Sequence, residues 1–436
     1  MTQIAEERTI HYHTVTLGAL TRSGDALADV QEQDEAGAWR SVTYGVPAGL
    51  PGEQVTIAVE APPARRPGRK RRHWQPRPPR VWIHEIHQPS PLRVTAPCPV
   101  FGTCGGCQLQ HMEYAAQCAW KHSVVLDLLR TIGGFPDPPL QETVACDVPW
   151  HYRNHMRFSV NRQGQAGLTA RGSHRVLPLT DCPIAHEHIN RALTVINQQI
   201  NPQPQVLLRC ATASTQMLIQ PAQPPQVIQQ LAEVGLAVQP ETMDEVLAGI
   251  PYRIRPSSFF QTNTAQAEKM VRMVLDGLLS SLAPTAANGK ALTVVDAYCG
   301  VGTFALQLAR HVGRVIAIEE SASAIKDAQW NARDTHNVEI VKGKVEEMLP
   351  TLSEHVDGFV IDPPRAGCMP VVLDALLHHP VSCIVYVSCD PSTLARDLNI
   401  LCHSQSTYHL RTIQPLDMFP HTAHIECVAV LERNKS

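Results

Sequence analysis

The pattern of apolar and polar positions changes character along the chain. Over residues 9–61, apolar positions come in short β-type runs, at 11–17, 40–44 and 54–59, separated by turn-forming pairs such as Pro51-Gly52. Short strands with this punctuation predict a small β-barrel, resumed by a strand at 81–87 after an interruption. Residues 112–132 carry helical periodicity. The stretch 145–250 mixes predicted strands at 157–161, 206–211 and 216–220 with Gln- and Pro-rich connections. From 264 onward a helix at 265–282 precedes an apolar strand at 292–298, a glycine loop and a helix from Phe304. Further strands follow at 315–319, 358–361 and 383–388. Alternating apolar strands and amphipathic helices predict an α/β domain with a doubly wound parallel sheet. The expected organisation is a barrel in 1–90, a central α+β region in 91–250 and the doubly wound domain in 251–436. The helical part near 110–135 is expected to pack on the last of these.

Composition narrows the class. The chain has 436 residues, 44% hydrophobic and 18% charged, as for an ordinary globular protein. No apolar run reaches membrane-spanning length and the first residues do not read as a signal peptide, so a cytoplasmic protein is expected. In that compartment its 13 cysteines point to thiols, metal ligands or catalysis before disulfides. The net charge of −3 conceals an uneven distribution. Residues 63–80 contain Arg65, Arg66, Arg69, Lys70, Arg71, Arg72, Arg77 and Arg80 and no acid, so the remainder of the chain carries −11. This is either a phosphate-contacting patch or a solvated Pro-rich connection. His73 and Trp74 beside it favour RNA, because an aromatic side chain stacks on an unpaired base. Arg69 and Arg72 are therefore candidate RNA contacts.

The run Val294 to Ala305, VVDAYCGVGTFA, reads as strand, tight turn and helix start. Gly300 and Gly302 let the backbone approach a ligand at the carboxyl end of the strand. Glu319 ends the next strand, where its carboxylate can accept from both hydroxyls of a ribose. A dinucleotide fingerprint has the same glycine spacing. With the later Asp362-Pro363-Pro364-Arg365 turn, rigid at another strand end, the unit resembles the S-adenosylmethionine methyltransferase fold, with Asp296 through Phe304 as its first motif.

Cys389 follows the apolar strand 383–388, and Asp390-Pro391 ends that strand at once. The helix that starts there is expected to favour the thiolate of Cys389. A thiolate in this position suits addition to carbon 6 of a pyrimidine, which turns carbon 5 into a nucleophile. After alkylation the carbon-5 proton must leave. Glu426, an acid entering the final apolar strand, is the expected base. Cys368 comes three positions after Arg365 and reads as an incidental buried thiol.

A second set of cysteines is dense and glycine-rich: Cys98, Cys104 and Cys107, spaced C-x5-C-x2-C, with Cys182 in Asp181-Cys182-Pro183 as a candidate fourth. Four thiolates with these flanks suit an iron–sulfur cluster, and a structural zinc site is the competing reading. Cys118, Cys146, Cys210, Cys383, Cys402 and Cys427 read as packed residues.

The segments DAYCGVGTF, IDPPRAG, VYVSCDPSTLARDL and FPHTAHIE together resemble the RNA uracil-5-methyltransferase family. The resemblance is most specific in residues 251–436. It implies a Rossmann-like methyltransferase domain, with Gln261, Tyr298, Thr303, Glu319 and Asp362 contacting S-adenosylmethionine and Phe259 bordering an RNA pocket. The cysteine spacing resembles that of the ribosomal-RNA branch, which implies a [4Fe–4S] cluster on Cys98, Cys104, Cys107 and Cys182 in the central domain. The N-terminal barrel resembles the OB-like TRAM module. Arg153 and Arg157 are further candidate RNA contacts, with ordinary strand-face charge as the alternative. A monomer acting on 23S ribosomal RNA is expected. The alternatives are a tRNA uracil-5 or RNA cytosine-5 methyltransferase, and a cluster-bearing RNA-binding protein without catalysis.

Overall fold

The computed structural model describes residues 9–33, 37–61, 78–286, 291–352 and 354–434. By packing, the chain divides into two units. One comprises Met1–Gln117 with His421–Ala423, the other Cys118–Pro420 with His424–Ser436.

The first unit carries strands β1 (Ile10–Thr16), β2 (Ala26–Gln33), β3 (Trp39–Val46), β4 (Gln54–Glu60) and β5 (Arg80–Gln88). β1, β4 and β5 form an antiparallel sheet in the order β1-β4-β5, while β2 and β3 form a hairpin. Ala26, Ala28 and Val30 of β2 alternate inward and meet Val55, Ile57 and Val59 of β4 in one apolar core. This is the barrel-like packing of a period-2 pattern. β2 is hard to read in the sequence because it combines polar outward positions (Asp29, Gln31 and Gln33) with the inward Ala26 and Ala28, and Asp and Ala are poor strand formers. Arg69 and Arg72, with most of the basic segment, lie outside the described residues. Arg80 opens β5, with its guanidinium 5.3 Å above the Trp82 ring. Behind β4, Glu53 is fully buried. Burial raises its pKa, but the Arg93 ion pair and amide donors from Ser90 and Leu50 outweigh this, so its pKa lies below the usual value.

The second unit contains two main sheets. Strands β6 (His155–Val160), β7 (Ala166–Thr169), β8 (Val176–Pro178), β9 (Gln205–Cys210), β10 (Gln216–Gln220) and β11 (Ala237–Val238) run in the order β11-β10-β9-β6-β7-β8. The hairpin β12 (Met243–Leu247) and β13 (Ile250–Ile254) leads into the long helix Thr264–Ala286. The second sheet holds β14 (Thr293–Ala297), β15 (Arg314–Glu319), β16 (Val338–Lys342), β17 (Gly358–Ile361), β18 (Cys383–Ser388), β19 (Tyr408–Leu416) and β20 (Glu426–Arg433). Its order is β16-β15-β14-β17-β18-β20-β19, parallel through β18 and antiparallel thereafter.

The chain winds from β14 outward to one side, then returns to place β17 on the other. That reversal opens a crevice at the carboxyl ends of the strands, where doubly wound sheets bind ligands. Both faces of the sheet are covered. Val125, Leu128 and Leu129 of helix Tyr114–Thr131 share a core with helices Pro370–His378 and Pro391–His403 on one face. Met270, Val271, Val274 and Leu278 of helix Thr264–Ala286 cover the other. Every residue of β18 is accordingly buried, as in a sheet sandwiched between helices.

Inside this unit Lys121 and Asp417 form an ion pair with both side chains fully buried, Nζ to Oδ1 at 2.5 Å. Lys121 also donates to the Phe419 carbonyl at 3.2 Å, and Gln266 donates to the Asp417 carbonyl at 2.9 Å. The pair thus pins residues 417–419, where the FPHTAHIE segment begins, onto the core. Lys121→Met would leave a buried carboxylate without its cation, which costs about 3–5 kcal/mol. Urea unfolding of the variant should show a loss of that order, and a loss below about 1 kcal/mol would mean the pair holds nothing in place.

Candidate active site

Strand register gathers the predicted residues at one rim. Ala297 of β14 lies level with Ile318 of β15 and with Ile361 of β17. Ile361 lies level with Tyr386 of β18, and Ser388 of β18 with Cys427 of β20. Glu319, Tyr298, Asp362, Cys389 and Glu426 therefore stand at the same edge of five neighbouring strands, Cys389 directly across from Glu426.

The loop after β14 takes three residues through the left-handed region: Tyr298 (φ 68°), Gly300 (φ 58°) and Gly302 (φ 89°). For the glycines this costs little, whereas Tyr298 is held there against its own preference. A Cβ placed on Gly300 would meet no atom within 4 Å, so the space beside this backbone is open. Glu319 shapes the loop by accepting the Gly300 amide at 3.0 Å and the Ser321 amide at 2.7 Å. Gly302 caps helix Thr303–Leu308, and the Thr303 carbonyl accepts from the buried Tyr252 hydroxyl at 3.0 Å. Asp296 near the end of β14 is fully buried. Burial drives its pKa well above the usual value, reinforced by the Asp362 and Glu319 carboxyls. In the sequence Asp296 opens the motif without an evident role. Its signal is an acid in an otherwise apolar strand.

Gln261 is buried, and its carbonyl accepts from Asn154 at 3.3 Å. Phe259, two residues earlier, is 66% exposed. Exposing an aromatic ring beside a buried segment leaves it available for stacking. The Asp362 turn is braced from below by Asp397. This fully buried carboxylate accepts the Cys368 amide at 2.8 Å and the Tyr386 hydroxyl at 2.7 Å, while Arg396 donates to the Ala366 carbonyl at 3.0 Å. Gly367 between them has φ 77°, and any Cβ there would collide with Arg396 and Asp397.

Cys389 is half-buried. The helix Pro391–His403 does begin beside it, but the expected activation of the thiolate is not what its surroundings produce. Loss of water raises the thiol pKa to about 11, the carboxyls of Glu426 and Asp362 reinforce the rise, and Arg365 only partly opposes it. The helix N-terminus is already occupied: the Asp390 carboxylate accepts the Ser392 amide at 3.0 Å and the Thr393 amide at 3.4 Å. A capping carboxylate takes up the donors that would have favoured a thiolate. Burial likewise pushes Asp362 up to about 7 and Glu426 well above the carboxylate range, with Arg365 opposing at Glu426. Arg365 is thus the cation of the rim, a position that the sequence shows only as the residue after two prolines.

The other expected residues lie elsewhere. Cys98, Cys104 and Cys107 belong to the first unit, where the Gly106 amide approaches Cys104 Sγ at 3.4 Å and Gly102 turns the chain at φ 80°. Burial and the neighbouring Cys98 raise the Cys104 pKa, and that amide lowers it. An amide aimed at a thiolate is the donor geometry that a cluster ligand uses. Cys182 belongs to the second unit, buried, with its amide and carbonyl both held by the Asn190 side chain. Arg157 is exposed on β6, and half-buried Arg153 donates to the His155 carbonyl at 3.3 Å.

Residues 226–434 match the family model described as tRNA (Uracil-5-)-methyltransferase. An uncharacterized RNA methyltransferase of Gloeobacter violaceus is 35% identical over 403 residues, covering 81% of this chain and 86% of that protein. A second from Nostoc sp. is 31% identical over 463 residues, covering 94% and 96%. The chain belongs to the RNA uracil-5-methyltransferase family. The crystal structure of Pyrococcus abyssi tRNA (uracil-54, C5)-methyltransferase in complex with S-adenosyl-L-homocysteine shares this fold. Its TM-score is 0.68 at 24% identity, over 96% of this chain and 99% of that one.

As an S-adenosylmethionine-dependent RNA uracil-5-methyltransferase, the enzyme needs a cofactor cradle, and the residues present fit one. The space at Gly300 admits a ligand against the backbone, and Glu319 stands beside it with the carboxylate that ribose hydroxyls require. In the rim beyond it, the Glu426 and Asp362 carboxyls both raise the pKa of the Cys389 thiol. Removing one carboxyl should therefore move the thiol. Alkylation of Cys389 by iodoacetamide, followed peptide by peptide against pH, should give a pKa of about 11 in the wild type. In Glu426→Gln that value should be lower, and an unchanged or higher one would show that the two groups do not share the rim.

Proposed function

We propose that the protein methylates carbon 5 of a uridine in RNA through a covalent adduct between Cys389 and carbon 6 of the base. The observation that carries this is the placement of Cys389 across from Glu426, at the same sheet edge as the open loop at Gly300. The base would enter with its ring beside Cys389 and Phe259 at the border of its pocket. The thiol and the Glu426 carboxyl give up their protons to water, the sulfur bonds to carbon 6, and the ring electrons shift to carbon 5. S-adenosylmethionine, when bound, supplies the methyl group as an electrophile. Glu426 then takes the proton from carbon 5, the double bond re-forms and the Cys389–carbon 6 bond breaks. A carboxylate with a pKa raised by burial suits this step, since a stronger base accepts a carbon-bound proton more readily. Gln261, Tyr298, Gly300, Gly302, Thr303, Glu319 and Asp362 would hold the cofactor, with Asp362 also within reach of the uracil edge.

We take ribosomal RNA, 23S, as the target class, and a [4Fe–4S] cluster on Cys98, Cys104, Cys107 and Cys182. Their support is the C-x5-C-x2-C spacing with a distant Asp-Cys-Pro cysteine, and the Gly106 amide directed at Cys104. The cluster would position RNA, with Arg153, Arg157 and the basic segment supplying phosphate contacts. The 13 free cysteines fit a reducing cytoplasm, where the protein would act as a monomer.

Incubation with 5-fluorouridine-substituted RNA and S-adenosylmethionine should give an adduct that survives denaturation, absent in Cys389→Ala. Glu426→Gln should lose about 10²–10⁴-fold in turnover and accumulate methylated adduct on ordinary RNA. An adduct of undiminished yield in Cys389→Ala would overturn the mechanism. Methyl incorporation into 23S RNA but not tRNA transcripts would support the target class, and the reverse would refute it. Anaerobically purified protein should contain iron and acid-labile sulfide in equal amounts, both lost in Cys104→Ser; zinc in their place would refute the cluster.

A further inference from the structure

One group of ligating side chains lies outside the rim and outside the four-cysteine set. His186, His188 and Cys210 each place a ligand atom, an imidazole nitrogen or Sγ, within 4.8 Å of the other two. The local structure explains why they meet. His186 is the N-cap of helix Glu187–Ile196 and His188 lies in its first turn, so the two rings come edge to face with centroids 4.5 Å apart. Cys210 ends β9, where its amide is fixed by the Asn154 carbonyl at 2.9 Å. Cys210 is fully buried and the imidazoles are half-buried, which leaves an approach from the histidine side.

We propose that His186, His188 and Cys210 form a binding site for a zinc-class divalent ion. Two imidazoles and a thiolate make the mixed N/S donor set that zinc favours over harder cations. Three protein ligands leave a fourth tetrahedral position for water. His188 supplies the most specific sign: its Nδ1 is buried without a hydrogen-bond partner. A buried imidazole nitrogen with no hydrogen-bond partner keeps its lone pair available to a metal ion.

His186 makes one competing contact, with Nδ1 accepting the His188 amide at 3.2 Å. This cap is long, and an ion can replace it. The charges around the group are mixed, Glu187 and Glu245 against Arg191. The Cys210 thiol would release its proton to water as the sulfur–metal bond forms. A bound ion would then tie the start of helix Glu187–Ile196 to the end of β9.

Cys182 lies four residues before His186, so the test must separate the two thiolate sites. Full-length wild type, His186→Gln/His188→Gln and Cys210→Ala are each incubated with excess zinc chloride, desalted, and assayed for zinc, iron and sulfide. The wild type should retain one zinc per chain that neither variant retains, with iron and sulfide unchanged in all three. Zinc should raise the melting temperature of the wild type by several degrees and leave the double-histidine variant unmoved. Equal melting of the zinc-free proteins checks that the variants fold. Equal zinc in wild type and both variants, or none in the wild type, would overturn the site. Loss of iron together with the histidines would also overturn it, by assigning them to the cluster.

Discussion

A thiol and two carboxyl groups held at one end of a sheet oppose one another's ionisation. Asp362, Cys389 and Glu426 each lose water by burial, Asp362 raises the pKa of Glu426, and both carboxyls raise that of Cys389. One guanidinium, Arg365, opposes at Cys389 and Glu426. The resting rim therefore keeps protons that a reacting rim must release. A nucleophile stored as its thiol is protected from stray alkylation and oxidation, because the thiolate is the reactive form. In the reaction proposed above the thiolate would form once the nucleobase is in place, with Arg365 as the neighbouring cation that opposes the carboxyls.

That arrangement requires the rim to be rigid, since a shift of about 1 Å can cost 10²-fold in rate. The supports come from elements with no chemistry of their own. Asp397, on the helix after Cys389, fixes the turn after Asp362 through the Cys368 amide and fixes β18 through the Tyr386 hydroxyl. One carboxylate thus couples two of the three acid positions. Lys121 and Asp417 do the same for the segment leading to Glu426. The left-handed Tyr298 is strain of the kind that such surroundings hold at a ligand loop.

Much of the doubly wound domain is legible in the amino-acid sequence alone. The apolar strands ending at Ala297, Ile361 and Ser388 stand out because both faces of the sheet are covered, so nearly every position is hydrophobic. Cys389, Glu426 and Glu319 then follow as polar residues at strand ends. The edge strands are less visible. β16 mixes Val338 and Ile340 with Glu339 and Lys342, and β19 includes Thr412, Gln414 and Pro415, as edges facing water do. Arg365 and Asp397 are hidden for a different reason. Their importance depends on which distant groups they meet, and spacing along the chain does not carry that information. The helix after Cys389 misleads in the same way: its start is evident, but the prior claim of Asp390 on its amides is not.

The cysteines show how far environment rather than composition sorts chemistry. Cys389 lies beside two carboxyls at a strand end, Cys104 faces a glycine amide among other thiols, and Cys210 lies beside two imidazoles. In the roles proposed above, the same side chain would serve nucleophilic addition in the first place, a cluster in the second and a single ion in the third. Burial alone does not separate these roles, since Cys402 is buried as well and only the loss of water shifts its thiol. What separates them is the partner: a carboxyl that can take a proton, an amide that can meet a sulfide, or a neutral nitrogen with a free lone pair. Those partners come from strand register and helix capping, which are fixed by the apolar pattern of the whole domain. The chemistry of each thiol is in that sense a consequence of how the sheets are sealed from water.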